Sequence, residues 1–221
     1  MTHPCSRRPL AKSVALLVLA TLAVTVSGAG ADIVLNGGFE SPSKNYSRHV
    51  SDIYPLDSWN YAELNEVIIY NTLWAPHSGT QSLALNGFGP GYISQDLATV
   101  AGGTYDLSFF MSGAFESGGT ARTLDVYWDT VRLGTVTFTK PSDWGLQNMG
   151  WTLQSGGVLS GLTASGPSTE LKFVSLAPDG FHYGPALDDI SVTSSVPEPA
   201  SASLLLLALP GLAWLRRRRR A

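Results

Sequence analysis

Carboxylates are the most numerous ionisable side chains in this sequence. Residues 32–195 hold 16 acidic and six basic side chains, which gives a formal charge of −10. Glycoside hydrolysis needs two carboxyl groups about 5 to 10 Å apart in a cleft. Glu63 and Glu66 form a close pair, but an alternating strand would point them to opposite faces. The acidic balance also repels phosphate backbones, which argues against a nucleic-acid partner.

Other catalytic chemistries lack their characteristic residues. The same stretch has His49, His77 and His182 but no G-x-S-x-G sequence for a nucleophilic serine. It has neither an H-E-x-x-H zinc motif nor a phosphate-binding glycine loop. The single cysteine, Cys5, precedes the first apolar run, so the stretch has no thiol for a disulfide, a metal or a nucleophile. The sequence predicts a protein that is not an enzyme.

Two polar side chains are predicted on apolar strand faces. Asp188 shares a face with Ile190 and Val192, and its neighbour Asp189 takes the other face. A buried ionised carboxylate costs several kcal/mol unless it is paired or bound to a metal. Gln95 lies between two aliphatic residues of its face and is expected to be a buried amide with hydrogen-bond partners.

Aromatic side chains could stack on the C–H faces of sugars, while amides and carboxylates bind sugar hydroxyls. Trp128 alternates with aliphatic residues in a predicted strand, so we expect it in the core. Trp59 follows a turn, Tyr61 shares its face, and Trp74 precedes a loop with a proline. Since loops at the ends of a sandwich often carry binding groups, these three are the predicted stacking residues.

The elements that must position these residues are short strands. Apolar and polar residues alternate with a period of two, and glycine or proline turns separate the runs about every ten residues. No window shows a helical period, and no internal repeat is present. The pattern predicts one all-β domain over residues 32–195, an antiparallel β-sandwich or jelly roll.

The N-terminal segment, residues 1–31, has the features of a secretory signal peptide. Three basic residues precede an apolar stretch at residues 14–26, and Ala29-Gly30-Ala31 forms a small-residue cleavage site. The alternative is an uncleaved membrane anchor. The pair Arg7-Arg8 also resembles a twin-arginine export signal.

The C-terminal segment, residues 196–221, has three parts in order. The motif Pro197-Glu198-Pro199 comes first, then an apolar helix at residues 200–215, then five arginines. Sixteen helical residues span about 24 Å, less than the ~30 Å hydrocarbon core of a bilayer. The segment resembles the PEP-CTERM sorting signal of Gram-negative bacteria, which implies transient inner-membrane association, processing by an exosortase and delivery to the cell surface. The alternative is a stop-transfer anchor.

Six short motifs are spread along the domain: I-V-L-N-G-G-F-E-S-P at residues 33–42, H-S-G-T-Q-S-L-A-L-N-G at 77–87, G-Y-I-S-Q at 91–95, G-T-Y-D-L-S-F at 103–109, N-M-G-W at 148–151 and G-P-A-L-D-D-I-S-V at 184–192. In this order they resemble the choice-of-anchor C family, which is related to the domain-of-unknown-function 642 proteins of plant cell walls. One departure is Ala84, where the family usually has an acidic residue.

The resemblance implies a galactose-binding-like jelly roll, the architecture of many carbohydrate-binding modules. In similar modules the opening G-F-E and the closing D-D motif meet at one edge and often hold a structural Ca²⁺. That places the expected calcium ligands at Glu40, Asp188 and Asp189. The alternative is that turn amides bind these carboxylates without a metal. Glu66 falls at a position that is often acidic in the family, which makes it a fourth ligand-binding candidate.

Together these features predict a secreted, non-catalytic module that binds extracellular polysaccharide at the bacterial surface. A structural or adhesion protein that binds other proteins is the first alternative, and an enzyme acting on polysaccharide is the second.

Overall fold

The computed structural model describes residues 30–43, 48–49, 55–62, 68–70, 73–87, 89–115, 119–177 and 184–195. These residues form twelve strands and one 3₁₀ turn at Gly157–Leu159. The strands are β1 (Arg48–His49), β2 (Asn60–Tyr61), β3 (Ile68–Tyr70), β4 (Ser82–Ala84), β5 (Tyr92–Ala98), β6 (Thr104–Gly113), β7 (Ala121–Trp128), β8 (Val131–Thr139), β9 (Thr152–Gln154), β10 (Leu162–Thr163), β11 (Ser168–Ser175) and β12 (Pro185–Ser194).

Two antiparallel sheets stack to make a sandwich, which confirms the predicted all-β fold class. The first sheet has the order β1-β3-β4-β12-β6-β10, with β9 also paired to β6. The second sheet has the order β2-β5-β11-β7-β8. The predicted signal peptide and sorting helix fall almost wholly on residues 1–29 and 196–221, outside the described part of the chain. Among the described residues, no helix has the length and apolar character needed to cross a membrane.

Strict alternation along the longest strands builds the core between the sheets. In β6, Leu107, Phe109 and Met111 are buried, and the residues between them are more exposed. Phe109 meets Phe173 of β11 edge to face, with ring centroids 5.0 Å apart. Trp128 is buried in the same core, as its position in the alternating pattern predicted.

A second, smaller apolar cluster covers the side of the first sheet that is turned away from the second sheet. Trp74 and Met149 come from loops and pack on small residues of the strands, with Trp144 and Trp151 at the border. The small strand residues are Ala84 and Ala186, with Ala114 directly after β6. The loops can lie close to the strands because these side chains are short. The loop that contains Trp74 is therefore part of the packed structure.

A β-bulge in β12 reverses the predicted orientation of Asp188. The register with β6 shifts between Asp188 and Ser191, and Asp189 has a left-handed φ of 47°. Asp188 lies opposite Phe110, on the side of the first sheet turned away from the core. Val192 instead pairs with Leu107, on the side that faces the core. The prediction that Asp188 shares a face with Ile190 and Val192 is wrong, because the bulge inserts one extra residue into the alternation.

The two ends of the domain run side by side. Asp32 forms a β-bridge with Thr193. Further along, the Gln95 side chain makes the hydrogen bonds to Leu35 that a neighbouring strand would otherwise make. Its Oε1 accepts from the Leu35 amide at 2.8 Å, and its Nε2 donates to the Leu35 and Ser58 carbonyls at 2.8 and 2.9 Å. Gln95 is thus the buried, fully hydrogen-bonded amide that the sequence predicted, and it fixes the opening segment against β5.

Candidate functional site

Asp188 and Asp189 lie against the turn at His77 and Ser78. The Oδ2 of Asp188 accepts hydrogen bonds from the backbone amides of His77 (2.9 Å) and Ser78 (3.3 Å). The carboxylate of Asp189 lies 2.6 Å from His77 Nδ1 and accepts from the Ser78 hydroxyl at 2.7 Å. The His77 ring stacks on Phe110, with centroids 3.4 Å apart and planes 15° apart. One short turn therefore binds both carboxylates.

Glu40 binds the other half of the same turn. Its Oε1 accepts from the backbone amides of Thr80 (2.8 Å) and Gln81 (2.9 Å), and its Oε2 accepts from the Thr80 hydroxyl at 2.6 Å. Gly79, with a φ of 58°, leaves the space that the carboxylate fills, since a Cβ there would overlap Glu40. The motif beginning at His77 thus joins the opening and closing motifs of the domain.

The buried position of Asp188 changes its acidity. Asp188 is 0% exposed, and this burial, reinforced by the negative charge of Asp189, raises the pKa of Asp188 to about 7. The backbone amides of Ser78, Asp189 and His77 act in the opposite direction but do not offset the burial.

We call the place where Glu40, Asp188 and Asp189 meet the turn at residues 77–81 the acidic junction. The fit of the acidic junction to Ca²⁺ is incomplete in the described arrangement. A Cβ at Gly38 would lie 3.3 Å from Asp189 Oδ1, 3.8 Å from Asp188 Oδ1 and 4.0 Å from Glu40 Cγ, so the three predicted ligands do converge. However, the Glu40 carboxylate is directed to the Gly79 turn, and the described residues contain no group of three His, Cys, Asp or Glu side chains arranged for a metal. The hydrogen bonds to turn amides match the metal-free alternative, and calcium binding stays a prediction.

Two of the three predicted stacking residues do not offer a face to a ligand. Trp59 is 4% exposed and Trp74 is 2% exposed, so the prediction that they stack on sugars from exposed loops is wrong. Each indole can be buried because its Nε1 has an acceptor, Asn36 O at 3.1 Å for Trp59 and Ser82 Oγ at 2.8 Å for Trp74. Tyr61 pairs with Ile93 and is half-buried against the core, so its stacking role stays a prediction. Glu66 lies outside the described residues.

The outward side of the second sheet carries the half-buried tyrosines that the sequence analysis did not select. We call this surface the outer face. Directly opposed residues form two adjacent rows across β5, β11, β7 and β8. The first row is Tyr92, Val174, Asp125 and Thr135; the second row is Ser94, Lys172, Tyr127 and Arg132.

Charged side chains lie between and beside the two tyrosines of the outer face. The Lys172 ammonium lies 4.3 Å from the centroid of the Tyr92 ring. Arg132 donates two hydrogen bonds to Asp125, at 2.6 and 2.7 Å, and this pairing lowers the pKa of Asp125. Tyr92 and Tyr127 are two strands apart, about 10 Å, and one row apart, about 7 Å along the strands. That spacing suits an extended chain of rings.

A signal for Tyr127 was present in the sequence. In β7 it alternates with the buried Val126 and Trp128, which predicts an outward side chain. Tyr92 had a similar signal, because it precedes Ile93 and so falls on the face opposite to Ile93 and Gln95. Selecting aromatics by nearby turns favoured the two buried indoles instead.

No protein-family model matches this chain. Halomucin of Haloquadratum walsbyi is 27% identical over 198 residues, which is 82% of this chain and 2% of halomucin. The chain therefore corresponds to a small part of that relative.

Solved structures with a similar fold include a cyclase and carbohydrate-binding modules. The Stig cyclase Fisc from Fischerella sp. TAU has a TM-score of 0.50 at 13% identity, covering 77% of this chain and 100% of the cyclase. TmCBM61, solved in complex with beta-1,4-galactotriose, has a TM-score of 0.46 at 14% identity, covering 75% of this chain and 99% of the module. At these identities the likeness concerns the fold.

Proposed function

We propose that the domain is a non-catalytic module that binds extracellular polysaccharide through the outer face. The observation that carries this proposal is the pair Tyr92 and Tyr127, half-buried on the second sheet and surrounded by charged and hydroxyl side chains. Tyrosine rings stack on the apolar faces of sugars, and the neighbouring Asp125, Lys172 and Arg132 can exchange hydrogen bonds with hydroxyls. The described fold adds support, since it is the β-sandwich that the family resemblance implied.

The proposal extends to export and sorting. The charged and apolar stretch at residues 1–31 would direct the chain out of the cytoplasm. The segment at residues 196–221, with Pro197-Glu198-Pro199, would hold the precursor briefly in the inner membrane of a Gram-negative bacterium. An exosortase would then process it and release the module to the cell surface or the polysaccharide matrix. Mass spectrometry of the native product tests both processing steps, and an intact C-terminus on the surface protein would contradict the sorting step.

Calcium is proposed as a structural ion at the acidic junction. Asp188 and Asp189 would supply carboxylate oxygens, and Glu40 would join them if its carboxylate turned away from the Gly79 turn. A bound divalent cation would compensate the buried charge of Asp188 and tie the closing strand to the opening segment. Asp188 and Asp189 are the better supported ligands, because the Glu40 carboxylate is bound to the amides of the Gly79 turn.

A glycan array with the purified full chain tests the binding function. Saturable binding should weaken about tenfold in Tyr92→Ala and in Tyr127→Ala, because each removes a stacking ring. Leu153→Ala is the matched control, since Leu153 is an exposed apolar side chain of the first sheet. Equal binding by all variants would reject the outer face. Binding to proteins alone would favour an adhesion role, and release of reducing ends from the polysaccharide would favour an enzyme.

A further inference from the structure

The outer face continues into a third row, which consists of acidic side chains. Asp96 of β5 lies directly opposite Glu170 of β11. Asp129, in the turn after β7, extends this row, since its amide donates to the Glu170 carbonyl at 2.8 Å and its carboxylate accepts from the Glu170 amide at 3.1 Å. Side chains two residues apart along a strand share a face, so the third row borders the second row at Ser94 and Lys172.

The charges of the third row reach the solvent and have no basic partner in the described part of the chain. Asp96 is exposed and Glu170 is half-buried. The ion pairs of the described residues do not include any member of this row. Like charges that face each other across two strands destabilise a sheet. The same negative field acts on any charged group that approaches the outer face.

The two basic side chains of the outer face do not cancel this field. Arg132 donates two hydrogen bonds to the Asp125 carboxylate, at 2.6 and 2.7 Å, so its charge is already paired. The Lys172 ammonium lies 4.3 Å from the centroid of the Tyr92 ring. Over the three rows the outer face holds two basic and four acidic side chains, a formal charge of −2. A carboxylate or sulfate on a sugar would therefore be repelled, whereas a neutral sugar would not.

We propose that the outer face selects glycan chains without acidic substituents, and that Asp96 and Glu170 exclude uronic acids and sulfated sugars. Tyr92 and Tyr127 supply an attraction that depends on the apolar face of a sugar and not on its charge. The third row supplies a repulsion that only an anionic sugar meets, and specificity is the difference between the two affinities. This inference rests on the proposed polysaccharide-binding function and adds the substrate class to it.

Matched pairs of polysaccharides test the charge selectivity of the full chain by isothermal titration. The probes are soluble galactan, mannan and glucan, each as the neutral polymer and after oxidation of its C6 hydroxyls to carboxylates. The oxidised form of a bound polymer should bind about tenfold more weakly at about 0.02 M salt, because the third row repels the carboxylates. The difference should shrink at about 0.5 M salt, where the Debye length is only about 4 Å.

Substitutions that remove charge without changing shape locate the repulsion on the outer face. Asp96→Asn should raise the affinity for the oxidised form about twofold, and the double variant Asp96→Asn, Glu170→Gln should raise it about fivefold. The affinity for the neutral form should change much less. Asp106→Asn is the matched control, since it makes the same substitution on β6 of the first sheet and should leave the ratio of the two affinities unchanged.

The outcomes separate the selectivity from the proposed function. Oxidised polymers that bind as tightly as neutral ones would overturn the selectivity, and so would equal gains in Asp96→Asn and Asp106→Asn, which would indicate only the net charge of the domain. The proposed function would stand in both cases if Tyr127→Ala weakened binding of the neutral polymer. Binding of none of the six probes, or neutral binding unaffected by Tyr92→Ala and Tyr127→Ala, would reject both.

Discussion

Replacing Asp188 with Asn should remove a pH dependence of stability that the wild-type protein shows below neutral pH. The pKa of Asp188 is about 7 in the folded protein and 3.8 for a free side chain. Between these values the folded protein keeps a proton that the unfolded chain has lost, so the free energy of unfolding falls as the pH rises. The contribution is fully present below about pH 4 and is lost as the pH rises through about 7.

The magnitude follows from the same two values. Each pH unit of separation corresponds to about 1.4 kcal/mol, so the interval from 3.8 to about 7 gives an upper value of about 4 kcal/mol. Complete burial of the side chain means that solvent screening does not reduce this figure much. Asn is nearly isosteric and cannot ionise, although its amide group replaces an oxygen that accepts backbone hydrogen bonds. The variant should therefore be less stable than the wild type at low pH, by an amount that falls as the pH rises through this window.

Urea unfolding of the full chain in a chelating buffer, from about pH 4.5 to about pH 7.5, measures the effect. The difference between wild type and Asp188→Asn should shrink steadily as the pH rises, because ionisation of the other carboxylates cancels in the subtraction. Asp96→Asn, at an exposed position of β5, is the matched control and should follow the wild-type curve. A difference that is flat, or that grows with pH, would refute the assignment of a raised pKa to Asp188.

Further predictions concern the same junction and the core. Asp189→Asn removes the neighbouring negative charge, so the pH-dependent loss measured above should become smaller and move to lower pH. If Ca²⁺ binds there, millimolar calcium should raise the melting temperature near neutral pH and chelation should lower it; no shift in either direction rejects the ion. Trp59→Ala should cost about 3 to 5 kcal/mol of stability in urea unfolding, because the indole is a core side chain. Gly37→Ala should unfold the domain or lower its melting temperature strongly, since the new Cβ would overlap the Ile190 carbonyl oxygen, and a wild-type melting temperature would contradict that close approach.

The sequence predicted the features that depend on local alternation and missed those that depend on long-range packing. Period-two patterns identified β6, β7 and β11 and placed Trp128 and Gln95 correctly, because each side chain's environment followed from its strand neighbours. The bulge at Asp189 could not be read from alternation, since one inserted residue leaves the apolar pattern on either side intact. Trp59 and Trp74 appeared exposed because turns flank them, and only the folded chain shows which loops are covered.

The opening and closing motifs meet, as predicted, but the spacing of the motifs along the sequence does not show what joins them. Glu40 and Asp188 are brought together by a third segment, the turn at residues 77–81, whose amides bind both carboxylates. A motif comparison identifies the three segments, but their contact needs the topology that places β4 and β12 side by side.

The adjacent ends of the domain also determine how it would present itself when tethered. Gly30 approaches Ser194 where β6 begins, and a Cβ at Gly30 would lie 2.9 Å from the Ser194 amide nitrogen. Phe115 and Lys140 lie at the opposite pole, beyond the far end of the ten-residue strand β6, which is about 34 Å long. Attachment through either terminus would point that far pole away from the attachment point and leave both sheets of the sandwich accessible. Linking the termini and reopening the hairpin between β7 and β8 should give a circular permutant with the same fold.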